Sequence, residues 1–200
     1  MNWLTDLENS KCVLIIYNDI RTINFGKIAA ICYIHYTTIE MFRLSLKRDS
    51  NVHDLLNMIC NAYEFKDLPL RHGEGIVLTR IRQWLQLPVP EKNIWIDPRA
   101  KVYILLQAHL SKIPITHAAL KEDLNQILMK SVRLIQAFVE LSSCNRWLGP
   151  ALSAMKLAQW HTDSVLKQIP HFDDLNILER CEEANIKTVF DFKKLFDAME

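Results

Sequence analysis

The stretch Ala118 to Trp147, AALKEDLNQILMKSVRLIQAFVELSSCNRW, constrains the fold more than any other part of the chain. Leu120, Leu124, Ile127, Leu128, Ser131, Leu134, Ile135, Phe138, Leu141 and Ser142 recur at three- and four-residue spacings, which aligns them along one stripe of a helix. Val132, Ala137 and Val139 widen the stripe on both flanks. A helix apolar over more than half its circumference, with no Gly or Pro inside it, must be covered on several sides. The spacing predicts a central rod of roughly 40 Å, at ~1.5 Å per residue, with other helices laid against it. Lys130, Arg133, Gln136 and Glu140 fall on the remaining narrow polar strip, each about one turn from the next. Such a strip is either a solvated face or one that meets a ligand or a partner.

The rest of the chain supplies what could cover a rod. Half of its 200 residues are hydrophobic and 24% are charged, the balance of an ordinary globular protein, and only four are glycine. Scarce glycine argues against arrays of β-turns, so an all-α fold is expected. Ile28 to Tyr36 is apolar nearly all round, as a buried helix should be, and Thr37 or Thr38 can restart a helix through Lys47. Ser50 or Asn51 can cap a helix over Val52 to Ala62, and Ile76 to Leu85 reads as another. Asp97 followed by Pro98 opens a helix to about Ser111 with little polar face. Thr116 opens the rod, and Gly149 and Pro150 separate it from a last bundle helix, Ala151 to Trp160. Cys12 to Tyr17 is β-branched and favours a strand, whose partner must come from Arg21 to Phe25 or from outside the chain. Beyond Pro170, Leu175 to Ala184 and Val189 to Met199 form a helix-hairpin pattern around Asn185, Ile186 and Thr188.

Charge is uneven along the chain although its net value is only +1. Between Leu70 and Ile135 there are ten bases, including Arg71, Lys101, Lys130 and Arg133, against five acids, whereas Asp173 to Glu200 carries eight acids against four bases. An acidic hairpin opposes phosphate, so any nucleic-acid contact belongs to the middle of the chain. Arg71 and Glu74, three apart at a helix start, read as a structural ion pair. Chemistry-bearing patterns are missing: there is no GxxxxGK[ST], no GxGxxG after a strand and no nucleophile elbow, and the seven histidines never pair at the spacing that holds zinc on a helix. Five scattered cysteines fit reduced, mostly buried thiols, and the longest charge-free apolar run, Ile28 to Ile39, is too short to cross a bilayer. No catalytic residue, metal site, cofactor or membrane contact is expected.

An ordered set of stretches then resembles a known family. Phe25-Gly26-Lys27-Ile28-Ala29-Ala30 leads to Tyr36-Thr37-Thr38-Ile39-Glu40, followed by Leu68-Pro69-Leu70-Arg71-His72 with Glu74, and by Leu105-Leu106-Gln107-Ala108-His109-Leu110-Ser111. Arg133-Leu134-Ile135-Gln136-Ala137, Trp147-Leu148 and Leu166-Lys167-Gln168-Ile169-Pro170-His171-Phe172 complete it. Together they resemble the Sec-sixty-three (Brl) helical module that follows the motor domains of Ski-two-like RNA helicases, and most closely its carboxy-terminal copy in the Brr-two family of spliceosomal U-five helicases. The resemblance implies three parts: residues 1–24 as the tail of a preceding winged-helix region that supplies the short strand, 25–168 as a helical bundle, and 169–200 as a helix-hairpin. It also implies a shortened form or fragment, since the family continues past the hairpin into a β-sandwich and carries several more residues between Ala158 and Leu166.

In function, the resemblance implies a nuclear, non-catalytic, protein-docking and regulatory module of a splicing helicase, whose partners are other spliceosomal proteins and the helicase's own motor cassettes. RNA contact would be weak. In the same family the rod is a ratchet helix that can lie on single-stranded RNA, which places such contacts, or partner contacts, at Lys130, Arg133 and Gln136. The related module of an endoplasmic-reticulum translocation factor is the remaining alternative.

Overall fold

The computed structural model describes residues 3–17, 19–85 and 97–161, and the helix-hairpin expected at 169–200 lies outside them. Eight α-helices and one β-hairpin follow in order among these residues: α1 (Trp3–Asn9), β1 (Val13–Ile16), β2 (Asp19–Thr22), α2 (Asn24–Cys32), α3 (Tyr36–Ser45), α4 (Val52–Cys60), α5 (Glu74–Gln83), α6 (Pro98–Leu110), α7 (Ala118–Cys144) and α8 (Leu148–His161). A short 3-10 turn, Tyr63–Phe65, lies between α4 and α5. The chain divides into two units, 1–157 and 158–200, and only the last turn of α8 is described in the second.

The fold is all-α, and α7 is its axle. It packs against α2, α3, α4 and α6. Leu120, Ile127, Leu134, Phe138 and Leu141 on the predicted stripe are buried, and Phe138 stacks on the buried Phe42 of α3 with ring centroids 4.2 Å apart. The opposite side of α7 is exposed. Val132, expected to widen the stripe, is 52% exposed, and Met129 is 75% exposed, so the open side is broader and less polar than a narrow strip. Around the axle, α6 is covered along most of its length: every residue from Ala100 to Ala108 is buried. Its start is as expected, with Asp97 Oδ1 accepting from the Arg99 amide at 2.9 Å and Pro98 in the first turn. For α4 the cap is Asn51, and Asp54 returns the bond to the Asn51 amide at 3.0 Å in a capping box.

Other expectations are corrected. The strand's partner is Asp19–Thr22, paired antiparallel with Val13 opposite Thr22, so the sheet closes within the chain. The region read as a buried helix from Ile28 to Tyr36 is α2, which buries only Ile28, Ala29 and Cys32 and leaves Ile31 exposed. His35, not Thr37 or Thr38, caps α3 through its ring, because the Thr38 hydroxyl is used on Glu64. His117, without a side-chain cap bond, precedes α7 where Thr116 was expected. Gly149 and Pro150 do not break the helices apart but form the first turn of α8, where Pro has no amide to lose.

Chain reversal instead relies on one repeated device. After α1, α2, α6 and α7 the backbone turns left-handed at Lys11, Tyr33, Lys112 and Arg146. The next amide, of Cys12, Ile34, Ile113 or Trp147, reaches back to the carbonyl of Leu7, Ala29, Ala108 or Ser142 at 2.8–3.0 Å. This is the Schellman closure, with an apolar residue folded back onto the helix each time, and it needs no glycine here. Gly26 serves a different need. A Cβ on it would lie 2.1 Å from the Cys12 carbonyl oxygen, which accepts from the Ile23 amide at 3.1 Å. Gly26→Ala should therefore cost about 3 kcal/mol, at the upper end of overpacking penalties, read as a lower urea midpoint.

Candidate functional site

Ionisable groups converge at one place, inside the bundle. Lys101, on the covered stretch of α6, is 0% exposed. An unpaired ammonium there would be untenable, and all three of its protons are used. Nζ donates to the Pro69 carbonyl at 2.8 Å, Glu74 Oε2 at 2.6 Å and Asp123 Oδ2 at 2.6 Å. Arg71, just before α5, completes the set. Its Nη1 is 2.7 Å from Glu74 Oε1, its guanidinium bridges both oxygens of Asp123, and its amide donates to Glu74 Oε2 at 3.3 Å. Two cations and two carboxylates thus balance, binding the approach to α5, α5 itself, α6 and α7.

Burial pushes the Glu74 carboxyl up, but hydrogen bonds from Lys101 and Arg71 outweigh it and hold the group below its ordinary range. At Asp123 burial likewise pushes up and is outweighed by Arg71 and then Lys101. The Arg71 guanidinium is raised, first by its bonds to Asp123 and then to Glu74. Carboxylates held ionised and fully bonded cannot shuttle protons at neutral pH, so the geometry is that of a fastener. Tyr103 is similarly committed: its hydroxyl lies 3.0 Å from His53 Nε2, and burial, then Cys60, push it up to about 12. No group of three or more His, Cys, Asp or Glu among the described residues is placed to hold a metal. No described helix is long and apolar enough to cross a membrane.

Arg71 and Glu74 stand out in sequence by their spacing, but Lys101 and Asp123 were missed. A usable signal exists: Lys101 is the lone charge in an apolar stretch, and Asp123 falls on the buried stripe three residues after Leu120. Charges at buried positions demand partners.

Lys130, Arg133 and Gln136 all lie exposed on α7, yet the two bases are engaged within the fold. Lys130 Nζ donates to the Glu64 carbonyl at 2.9 Å. The Arg133 guanidinium lies 5.9 Å from the centroid of the Tyr33 ring, a side chain 80% exposed at the end of α2. The Glu64 carboxylate in turn accepts from the His35 amide at 2.7 Å and the Thr38 hydroxyl at 2.6 Å, anchoring the 3-10 turn to the start of α3. Gln136 shares its face of α7 with Met129, Val132 and Arg133, since these positions fall within one third of the helical circumference. Through Arg133 the exposed Tyr33 ring, just past the end of α2, adjoins this face, which carries the exposed apolar Met129 and Val132.

The molecule so described is an all-α bundle built on one long helix, with a charge-balanced polar joint in its interior and a mixed apolar face on its axle. The chain belongs to the Sec63 Brl domain family, whose model matches residues 22–189. It is 44% identical to the human "U5 small nuclear ribonucleoprotein 200 kDa helicase" over 97% of this chain and 9% of that protein. Identity is 46% with the Drosophila melanogaster protein of the same name, over 98% of this chain and 10% of the relative, and 37% with the Arabidopsis thaliana "DExH-box ATP-dependent RNA helicase DExH12", over 98% and 9%. The chain thus spans about a tenth of the length of these relatives.

Losing one member of the balanced joint leaves a buried charge behind. Glu74→Gln should cost about 3 kcal/mol at pH 7. Because the folded carboxyl is held below its unfolded value of about 4, its contribution is complete above that pH and is lost as pH falls through the depressed folded value. The gap in urea stability between the native chain and the variant should be constant from pH 7 to about 5 and shrink below about 4.

Proposed function

We propose that this chain is a non-catalytic protein-interaction and regulatory module of an ATP-dependent RNA helicase that acts in pre-mRNA splicing in the nucleus, within the U5 small nuclear ribonucleoprotein. Family membership and the names of the relatives support the helicase setting over an endoplasmic-reticulum translocation factor. The interaction role rests on one observation: the exposed face of α7 presents Met129 and Val132 with the exposed Tyr33 ring beside Arg133, while its bases Lys130 and Arg133 are drawn into internal contacts. Exposed aromatics with an adjoining Arg are the usual anchors of protein interfaces. Of the ten central bases, Arg71 and Lys101 are also spent inside the bundle. That leaves a weak electrostatic basis for holding RNA. Partners on this reading are other splicing proteins and the helicase's own motor cassettes, and the module needs no cofactor.

Fluorescence anisotropy with a single-stranded oligouridylate at about 50 and about 200 mM salt tests this directly. The expected dissociation constant is no tighter than the roughly 1–100 µM of non-specific binding, with no change in Arg133→Ala. A photo-crosslinker at position 132 in the assembled ribonucleoprotein should capture protein. Tight, steeply salt-dependent RNA binding that Arg133→Ala abolishes, with RNA as the crosslinked species, would install the ratchet-type RNA guide instead.

A further inference from the structure

The β-hairpin leaves a backbone edge unused, and two strands alone make only a marginal sheet. β1 packs against α1, whereas Asp19, Ile20, Arg21 and Thr22, the whole of β2, are exposed. The Ile23 amide donates to the Cys12 carbonyl across the hairpin, and pairing alternates from there along the register that sets Leu14 opposite Arg21 and Ile15 opposite Ile20. The amides of Ile20 and Thr22 therefore point away from β1. Neither residue's backbone bonds to anything else among the described residues. Asp19 and Arg21 share one face of β2, where Arg21 Nε lies 3.1 Å from Asp19 Oδ2 and both side chains are well exposed. Ile20, 51% exposed, lies on the other face beside Ile15. An open edge of this kind is a template for another strand.

We propose that β2 pairs antiparallel with β2 of a second copy of this chain, about a twofold axis at Ile20. The outward amides allow only registers that set Ile20 or Thr22 opposite one another. With Ile20 opposite its own mate, each Asp19 faces the other copy's Arg21. Every charge then keeps its neighbour on its own strand and gains a second opposite one across the joint. Setting Ile20 opposite Thr22 instead brings the two Arg21 side chains face to face, and setting Thr22 opposite itself pairs no charges. The strand thus matches its own sequence in one register, as a twofold interface requires. On the other face, Ile15 and Ile20 of both copies form one row across four strands, a setting that suits β-branched side chains. Exposed ion pairs contribute little, so here they fix register more than affinity. A joint between strands of four residues is small, and the dimer is a transient one. The edge is separate from the exposed face of α7.

The test is sedimentation velocity of the whole chain. The weight-average coefficient should rise from that of a monomer toward that of a dimer between about 1 µM and about 1 mM. Asp19→Arg and Arg21→Asp should each stay monomeric alone, because like charges then face each other, whereas an equimolar mixture of the two should associate one to one. That recovery on mixing shows that neither variant has lost its fold. Ile20→Pro should also stay monomeric, since it removes an outward amide that the hairpin itself does not use. Tyr33→Ala should associate as the native chain does, which separates this edge from the α7 face. A native chain monomeric at about 1 mM would leave the edge to a strand of another protein and overturn the proposal. Charge variants that dimerise alone, a mixture that stays monomeric, or loss of association in Tyr33→Ala would overturn it equally.

Discussion

One desolvated ammonium sets the terms for the interior. Lys101 sits near the start of a helix with no exposed residue between Ala100 and Ala108, so it cannot reach water along its own stem. The bundle brings acids to it from two directions, Glu74 on α5 and Asp123 on α7, and admits Arg71 from the surface side to neutralise the second carboxylate. Sequence separations of 27 and 22 residues between Lys101 and its acids mean that the contact exists only when three helices are in register. A buried ionic cluster adds little net stability over an apolar one, but it penalises any packing in which one member is left alone. Its role is to select one arrangement of α5, α6 and α7.

That selection fixes what α7 shows to the outside. With Asp123 held inward near its start and Phe138 stacked on Phe42 further along, the rod has little rotational freedom about its axis, and Met129, Val132, Arg133 and Gln136 must face outward. The turn carrying Glu64 is tied to α3 by its carboxylate and to α7 through Lys130. The left-handed stop at Tyr33 places its ring in solvent beside Arg133. The face is thus assembled by the same contacts that hold the bundle.

Periodicity made the axle, its buried stripe, the interior helix α6 and the Asp97-Pro98 start readable from residues alone, because each is a local pattern. The ordered stretches that resemble the Brl family were equally visible. What stayed hidden is non-local or unusual in its residue type. Lys101 looked like one of many solvent bases, since nothing adjacent to it in sequence announces Glu74 or Asp123. Glu64 gave no sign that it would cap a helix from 26 residues away. Helix ends were sought at Gly and Pro, whereas Lys11, Tyr33, Lys112 and Arg146 provide the left-handed stops. The exposure of Val132 depends on where α2, α3, α4 and α6 meet α7, which no single-helix pattern reports.

The dependence of the bundle on its internal charges is tested most directly by a double-mutant cycle on Lys101→Met and Asp123→Leu, with unfolding free energies measured in urea at neutral pH. If the joint selects the packing, each single substitution costs about 3–5 kcal/mol by stranding opposite charge, and the double variant recovers about 2 kcal/mol or more of the summed loss. Additive losses, or single variants as stable as the native chain, would mean that the apolar stripe alone determines how α6 meets α7.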